Sequence, residues 1–158
     1  MSSYHARIEW SRGDDAFAGQ KYSRGHRWHF DEGVSVPASA APTSVRAPWH
    51  VAAAVDPEEA VVAAVASCHM LFFLSYCSKA GFIVESYQDA PEGEMTKNAM
   101  GKDHLSHYTL RPVVTYRGNT PSTETFDALH HQAHEDCFIA NSVVGTVTVT
   151  PTLQTIPA

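Results

Sequence analysis

Apolar and polar residues alternate in HARIEW, near the start of the chain, and again on either side of Glu32-Gly33 in HRWHFDEGVSVPA. This period of two predicts three short strands, the last two joined by a turn. SAAPTSVRAPWH follows, and Pro42 and Pro48 break regular structure there, which predicts a surface loop. The pattern then changes. DPEEAVVAAVASCHMLFFLSYCSKAG, from Asp56 to Gly81, reads as one helix with legible ends. Asp56 is placed to cap it, Pro57 to take the first helical position and Glu59 to complete a capping box. Gly81 supplies the stop, with Lys79 in the last turn. From Ala60 to Leu74 this helix is apolar on every side, which predicts burial all round. One small domain is too little to enclose it, and that points to a second copy.

Beyond Gly81, FIVESYQDA and HYTLRPVVTYR are strand-like, with a polar connection rich in Lys, Asn and Gly between them. TPSTETFDALHHQAHEDC predicts a second helix, capped by Thr120 with Pro121 next, whose inner stripe is Phe126, Leu129, His130 and Ala133. GTVTVT alternates strictly and closes the chain as a strand with its valines on one face. Strands, long helix, strands, helix, strand is an α+β order with mostly antiparallel sheets, not a doubly wound one.

Composition narrows the function. A chain of 158 residues suits a single domain spanning 1–158. With 44% hydrophobic and 18% charged residues it is expected to fold rather than stay disordered. The net charge of −6, without a dense Lys/Arg stripe, argues against a nucleic-acid partner. No charged-then-apolar leader opens the chain, and Ser67, Cys68 and His69 interrupt an apolar run already short for a bilayer. Neither export nor a membrane partner is expected. Three cysteines do not make a disulfide framework, so a reducing, cytoplasmic setting fits best.

In that setting a cysteine is catalytic, metal-binding or simply packed. Cys68, on an all-apolar helix, has packing as its plainest explanation. Cys137, at the end of the second helix, changes the balance: two separated helix-borne thiols suit a peroxide-reducing pair, one attacking and one resolving. Cys77, near the end of its helix, reads as packing. His130, His134 and Cys137 lie at i, i+4 and i+7, a spacing that can present zinc ligands on one face. A fourth ligand would have to come from His69, His104 or His107, and a polar helix face with one buried imidazole accounts for the same residues. No phosphate-binding glycine loop, G-x-S-x-G elbow or dinucleotide fingerprint is present, so no cofactor is expected.

DPEEAVVAAVASC resembles the signature of the OsmC/Ohr family, the osmotically inducible protein C and organic hydroperoxide resistance proteins. HEDCFIANS resembles that family's second cysteine and polar turn, and the element order agrees over nearly the whole chain. The resemblance implies an intertwined homodimer built around the long helix. It also implies a thiol-dependent peroxidase acting on organic (alkyl or lipid) hydroperoxides and recycled by a dithiol such as a lipoylated protein. By position, Cys68 matches the peroxidatic cysteine and Cys137 the resolving one. Glu58 matches the carboxylate ten residues before the nucleophile. Arg24, nine residues before Gly33, matches the catalytic arginine, with Arg27 as fallback.

A guanidinium beside Cys68 would stabilise the thiolate and the charge that develops on attack. Glu58 would hold that guanidinium by a bidentate pair. Met70, Phe72 and Phe73 would form an apolar wall for an alkyl substrate, and are equally plain core residues. His69 after the nucleophile, and Cys-Phe-Ile where Cys-Pro is common, mark a divergent branch. Two other readings stand beside this one. The first is a non-catalytic or metal-binding module using the His-rich helix. The second is a hydrolase with His69 as base to Cys68, although adjacent helical residues project about 100° apart.

Overall fold

The computed structural model describes all residues from Met1 to Ala158. They form two compact units, Met1–Ala60 and Val61–Ala158.

The first unit contains a three-stranded antiparallel sheet of β1 (Arg7–Glu9), β2 (His26–His29) and β3 (Ser35–Ala38), in that order. The pairing brings Ile8 opposite Trp28, and Trp28 opposite Val36. The predicted turn is present. Glu32 and Gly33 take positive φ values of 50° and 79°, and the Phe30 N–H donates to the Val34 carbonyl at 2.8 Å to close it. Pro42 and Pro48 lie, as expected, in a stretch without helix or strand.

The long helix α1 (Pro57–Lys79) begins in the first unit and continues into the second. Its capping box forms as the sequence requires. The Glu59 N–H donates to Asp56 Oδ1 at 2.8 Å, and the Asp56 N–H donates to Glu59 Oε1 at 2.8 Å. Pro57 has no amide hydrogen, so two of the three unpaired amides at this helix start are satisfied this way. Gly81, at φ 81°, ends the helix in a conformation that costs glycine nothing and a branched side chain a good deal.

In the second unit β4 (Val84–Gln88), β5 (Glu92–Lys97), β6 (Asp103–Leu110) and β7 (Val113–Arg117) precede α2 (Thr123–Asp136), and β8 (Thr146–Val149) and β9 (Thr152–Ile156) follow it. They make two three-stranded sheets, ordered β4-β7-β9 and β5-β6-β8. The β4–β7 and β5–β6 pairs are antiparallel, whereas β6–β8 and β7–β9 are parallel. The sheets are thus mixed. The physical reason is α2: it carries the chain back across the sheets after β7, and such a crossover is what a parallel neighbour needs. Two strands, β5 and β9, were not visible in the sequence. β5 is mostly polar, reading EGEMTK with Met95 its one large apolar side chain, and occupies a sheet edge. The cap of α2 is Ser122, which accepts from the Thr125 N–H at 3.2 Å, and not Thr120.

The core forms two clusters. One joins Phe73 and Cys77 of α1 to Val114 and Tyr116 of β7 and Phe126, Leu129 and Ala133 of α2. The other joins Val65 and Ala66 to Tyr108 and Leu110 of β6. Burying a side chain as large as Phe73 stabilises by about 2 kcal/mol. The four stripe residues of α2 predicted to face inward are all buried. On α1, however, only Val65, Ala66, His69, Phe73 and Cys77 are buried, and Leu71 is 62% exposed. Burial all round is not achieved by one chain.

Candidate active site

Cys68 sits in the middle of α1, half-buried, and Cys137 ends α2, fully buried. The fold sets the Cys137 sulfur against α1 one turn from Cys68, 3.9 Å from the Val65 carbonyl, near enough for Cys68 to influence its titration. Three contacts fix Cys137. Its N–H donates to the His134 carbonyl at 3.2 Å, closing the last turn of α2. Its Sγ accepts from the Ala140 N–H at 3.3 Å and lies 3.9 Å from the Val65 carbonyl. Asn141 completes the turn: its Nδ2 donates to the carbonyls of Glu135 at 2.8 Å and Cys137 at 3.1 Å. The polar turn FIANS therefore holds the sulfur with backbone amides and caps the helix at the same time. Burial pushes the Cys137 thiol above the ordinary thiol range, the Ala140 amide pulls it back in part, and the nearby Cys68 raises it further. Cys68 is the accessible sulfur of the pair.

Around the thiols α1 and α2 meet through aromatic and polar contacts. Phe72 packs edge-on against Phe138, with ring centroids 5.0 Å apart. The Tyr76 hydroxyl donates to Asp136 Oδ2 at 2.5 Å. Of the apolar wall expected from Met70, Phe72 and Phe73, the first two are half-buried, whereas Phe73 is wholly core and faces α2. Cys77 is buried as a packing residue, with its sulfur 3.2 Å from the Tyr116 hydroxyl.

The histidines do something the sequence did not disclose. His69 and His130 are buried and joined by an Nε2···Nδ1 hydrogen bond of 3.0 Å. Burial disfavours the cationic rings, moving His69 down to about 4 and His130 to about 3. His69 is therefore engaged with α2 and is not arranged as a base for Cys68. His130, His134 and Cys137 share a helix face, but no group of three His, Cys, Asp or Glu side chains converges as a metal cage. The only sequence signal for the pair was its two apolar-stripe positions, one on each helix.

Arg24 and Glu58 belong to the first unit. The Arg24 guanidinium lies 3.8 Å over the Tyr22 ring and donates to the carbonyls of Gln20 at 2.9 Å and Tyr22 at 2.6 Å, and to Gln20 Oε1 at 3.1 Å. All these acceptors are neutral. Glu58 keeps Oε2 buried without a partner, while its neighbour Glu59 serves the cap. Within one chain the two do not form the expected ion pair. Arg27 donates from Nε to Ser35 Oγ at 3.0 Å at an exposed position.

The molecule is an α+β chain with two helix-borne thiols near one another. The sequence matches the family described as OsmC-like protein over residues 50–152, and the chain belongs to that family. No curated protein matches. An OsmC-like protein of unknown function from Vibrio cholerae O1 biovar eltor is 46% identical, over 96% of this chain and 99% of that one, with a TM-score of 0.93. An organic hydroperoxide resistance protein from Elizabethkingia anophelis shares the fold at 13% identity and a TM-score of 0.70, over 99% and 98% of the two chains. The organic hydroperoxide resistance protein OhrB of Bacillus subtilis does so at 16% identity and 0.62, over 97% and 98%.

Proposed function

We propose that this protein reduces organic hydroperoxides through Cys68 and Cys137. The observation that carries the reading is the seating of the buried Cys137 sulfur on α1, 3.9 Å from the Val65 carbonyl and beside the half-buried Cys68. The Cys68 thiolate attacks the distal peroxide oxygen, the O–O bond breaks and the alkoxide takes a proton from solvent to leave as an alcohol, so that Cys68 becomes a sulfenic acid. The Cys137 sulfur then attacks Cys68 Sγ, expelling water and forming a disulfide, which an external dithiol reduces. Membership of a family whose solved members include organic hydroperoxide resistance proteins supports the substrate class.

A homodimer completes the site in this proposal. Ten residues separate Glu58 from Cys68 on α1, a rise of about 15 Å, so one chain does not bring them together along its own helix. The partnerless Glu58 oxygen and an Arg24 bound only to neutral acceptors both leave room for a charged partner from a second copy. The face of α1 carrying Ala64, Ser67, Leu71, Ser75 and Ser78 is exposed, and mostly small, which suits close approach of another helix. A cytoplasmic location follows the use of reduced thiols.

The test is peroxidase turnover with cumene hydroperoxide and with hydrogen peroxide, driven by several dithiols. Faster turnover with cumene hydroperoxide is expected. No turnover with any dithiol would end the reading.

A further inference from the structure

His69 and His130 are 1% and 3% exposed, and each ring makes a single hydrogen bond, the one that joins them. His69 Nδ1 and His130 Nε2 have no partner. Their rings lie nearly parallel, 5° apart in plane, with centroids 5.3 Å apart. His130 is further clamped between aromatic rings, stacked on Phe73 at 3.9 Å and edge-on to Phe126 at 4.6 Å. This is a buried polar fastening inside an otherwise apolar helix contact, and such a pair fixes one register between the elements it joins.

Its position matters more than its strength. His69 is the neighbour of Cys68 on α1. His130 lies seven residues before Cys137 on α2, nearly two full turns and so on the same face, about 10.5 Å along the axis. The two helices therefore meet at the His69–His130 bond and again where the Cys137 sulfur lies 3.9 Å from the Val65 carbonyl, places one turn apart on α1 and two turns apart on α2. Rotation of α2 about the histidine contact swings Cys137 relative to Cys68.

We propose that the His69–His130 pair is a positioning device for the resolving step, holding Cys137 within reach of Cys68 once Cys68 is oxidised. This rests on the peroxidase reading. Two reactions compete for the Cys68 sulfenic acid. The Cys137 thiol attacks the sulfur, forming the disulfide and releasing water. Alternatively a second hydroperoxide transfers oxygen to the sulfur, giving a sulfinic acid and an alcohol. Peroxide attack itself needs neither imidazole. The pair acts only on the partition between these two fates.

The experiment compares wild type with His130→Phe and with the double variant His69→Leu/His130→Phe. The double change removes both halves of the bond together, so neither ring leaves the other's nitrogen stranded, and it keeps the question answerable where the single variant folds poorly. Each protein is treated with cumene hydroperoxide. The rate of Cys68 thiol loss and the ratio of Cys68–Cys137 disulfide to Cys68 sulfinic acid are read by mass spectrometry. The rate of thiol loss is expected to stay at the wild-type value while the disulfide-to-sulfinic ratio falls by about tenfold, as loss of one buried fastening implies. His130→Gln, which can restore a hydrogen bond to His69, is expected to recover part of the ratio. Folded variants with the wild-type ratio overturn the positioning role alone, as does a parallel loss of attack rate. Wild-type protein that forms no disulfide overturns the peroxidase reading and this inference with it.

Discussion

The Cys137 thiol is seated beside Cys68, its sulfur 3.9 Å from the Val65 carbonyl one turn earlier on α1, although the two cysteines sit on different helices and one is half-buried while the other is wholly enclosed. In the proposed reaction this asymmetry suits Cys68 to attack and Cys137 to resolve. Cys68→Ser is therefore expected to abolish hydroperoxide consumption while leaving circular dichroism and melting temperature close to wild type, because the change is nearly isosteric. Unchanged turnover in a verified Cys68→Ser protein would remove the thiol from the chemistry.

One equivalent of organic hydroperoxide is expected to give an intramolecular disulfide between Cys68 and Cys137. Cys77 should stay reduced, since its sulfur is buried against Tyr116 at the other end of the α1 stripe. Peptide mapping under non-reducing conditions checks this. Linkage of Cys77 would contradict the assignment.

The buried imidazoles make stability depend on pH. In the folded protein burial is the main cause holding His69 near 4 and His130 near 3, with His134 adding to the first and His69 to the second. An unfolded chain protonates these rings at about 6.5. Between those values the unfolded state binds more protons, so the stability from neutral rings is complete above about pH 6.5 and is lost as pH falls toward 4 and then 3. The melting temperature is expected to fall over that interval more steeply in wild type than in His69→Leu/His130→Phe. Equal slopes would show that the rings are not held neutral.

Helix capping offers a direct comparison. Ser122→Ala removes the side-chain acceptor of the Thr125 amide and is expected to cost about 1 kcal/mol. Thr120→Ala, two residues earlier and outside the cap, is expected to cost clearly less, since its hydroxyl only donates to the nearby Gly118 carbonyl. Urea unfolding of the two variants distinguishes them. A larger loss at Thr120 would move the helix start.

Complementation tests the shared site. Mixing Cys68→Ser with Glu58→Gln subunits under conditions that allow exchange is expected to restore activity, because one site of the heterodimer then holds both wild-type residues. Sedimentation should report a dimer. A stable, active monomer, or no recovery after exchange verified by mass spectrometry, would count against a site built from two chains.

Local signals made much of this fold readable. The capping box at Asp56 and Glu59, the stop at Gly81 and the turn at Glu32-Gly33 depend on a few neighbouring residues, and the structure shows each of them. The inner stripe of α2 was equally plain, because a 3.6-residue period survives whatever the helix packs against. The cap of α2 was misplaced by two residues, since Thr120 and Ser122 flank Pro121 and both fit a cap pattern. β5 and β9 were missed for a different reason. β5 is a polar edge strand, and β9 exists as a strand because β7 offers it a parallel ladder from Val113 to Arg117.

The sequence by itself determined the α+β class, the long helix that carries Cys68 and the motif that ties it to its family, because these are properties of consecutive residues. Only the tertiary structure decided that the Cys137 sulfur reaches α1 beside Cys68, that His69 turns to His130 rather than to its neighbouring thiol, and that α1 is covered on one stripe alone. Each of those facts depends on how α2 crosses α1. The crossing is set by long-range packing among Phe73, Phe126 and His130, and no local pattern of residues encodes it.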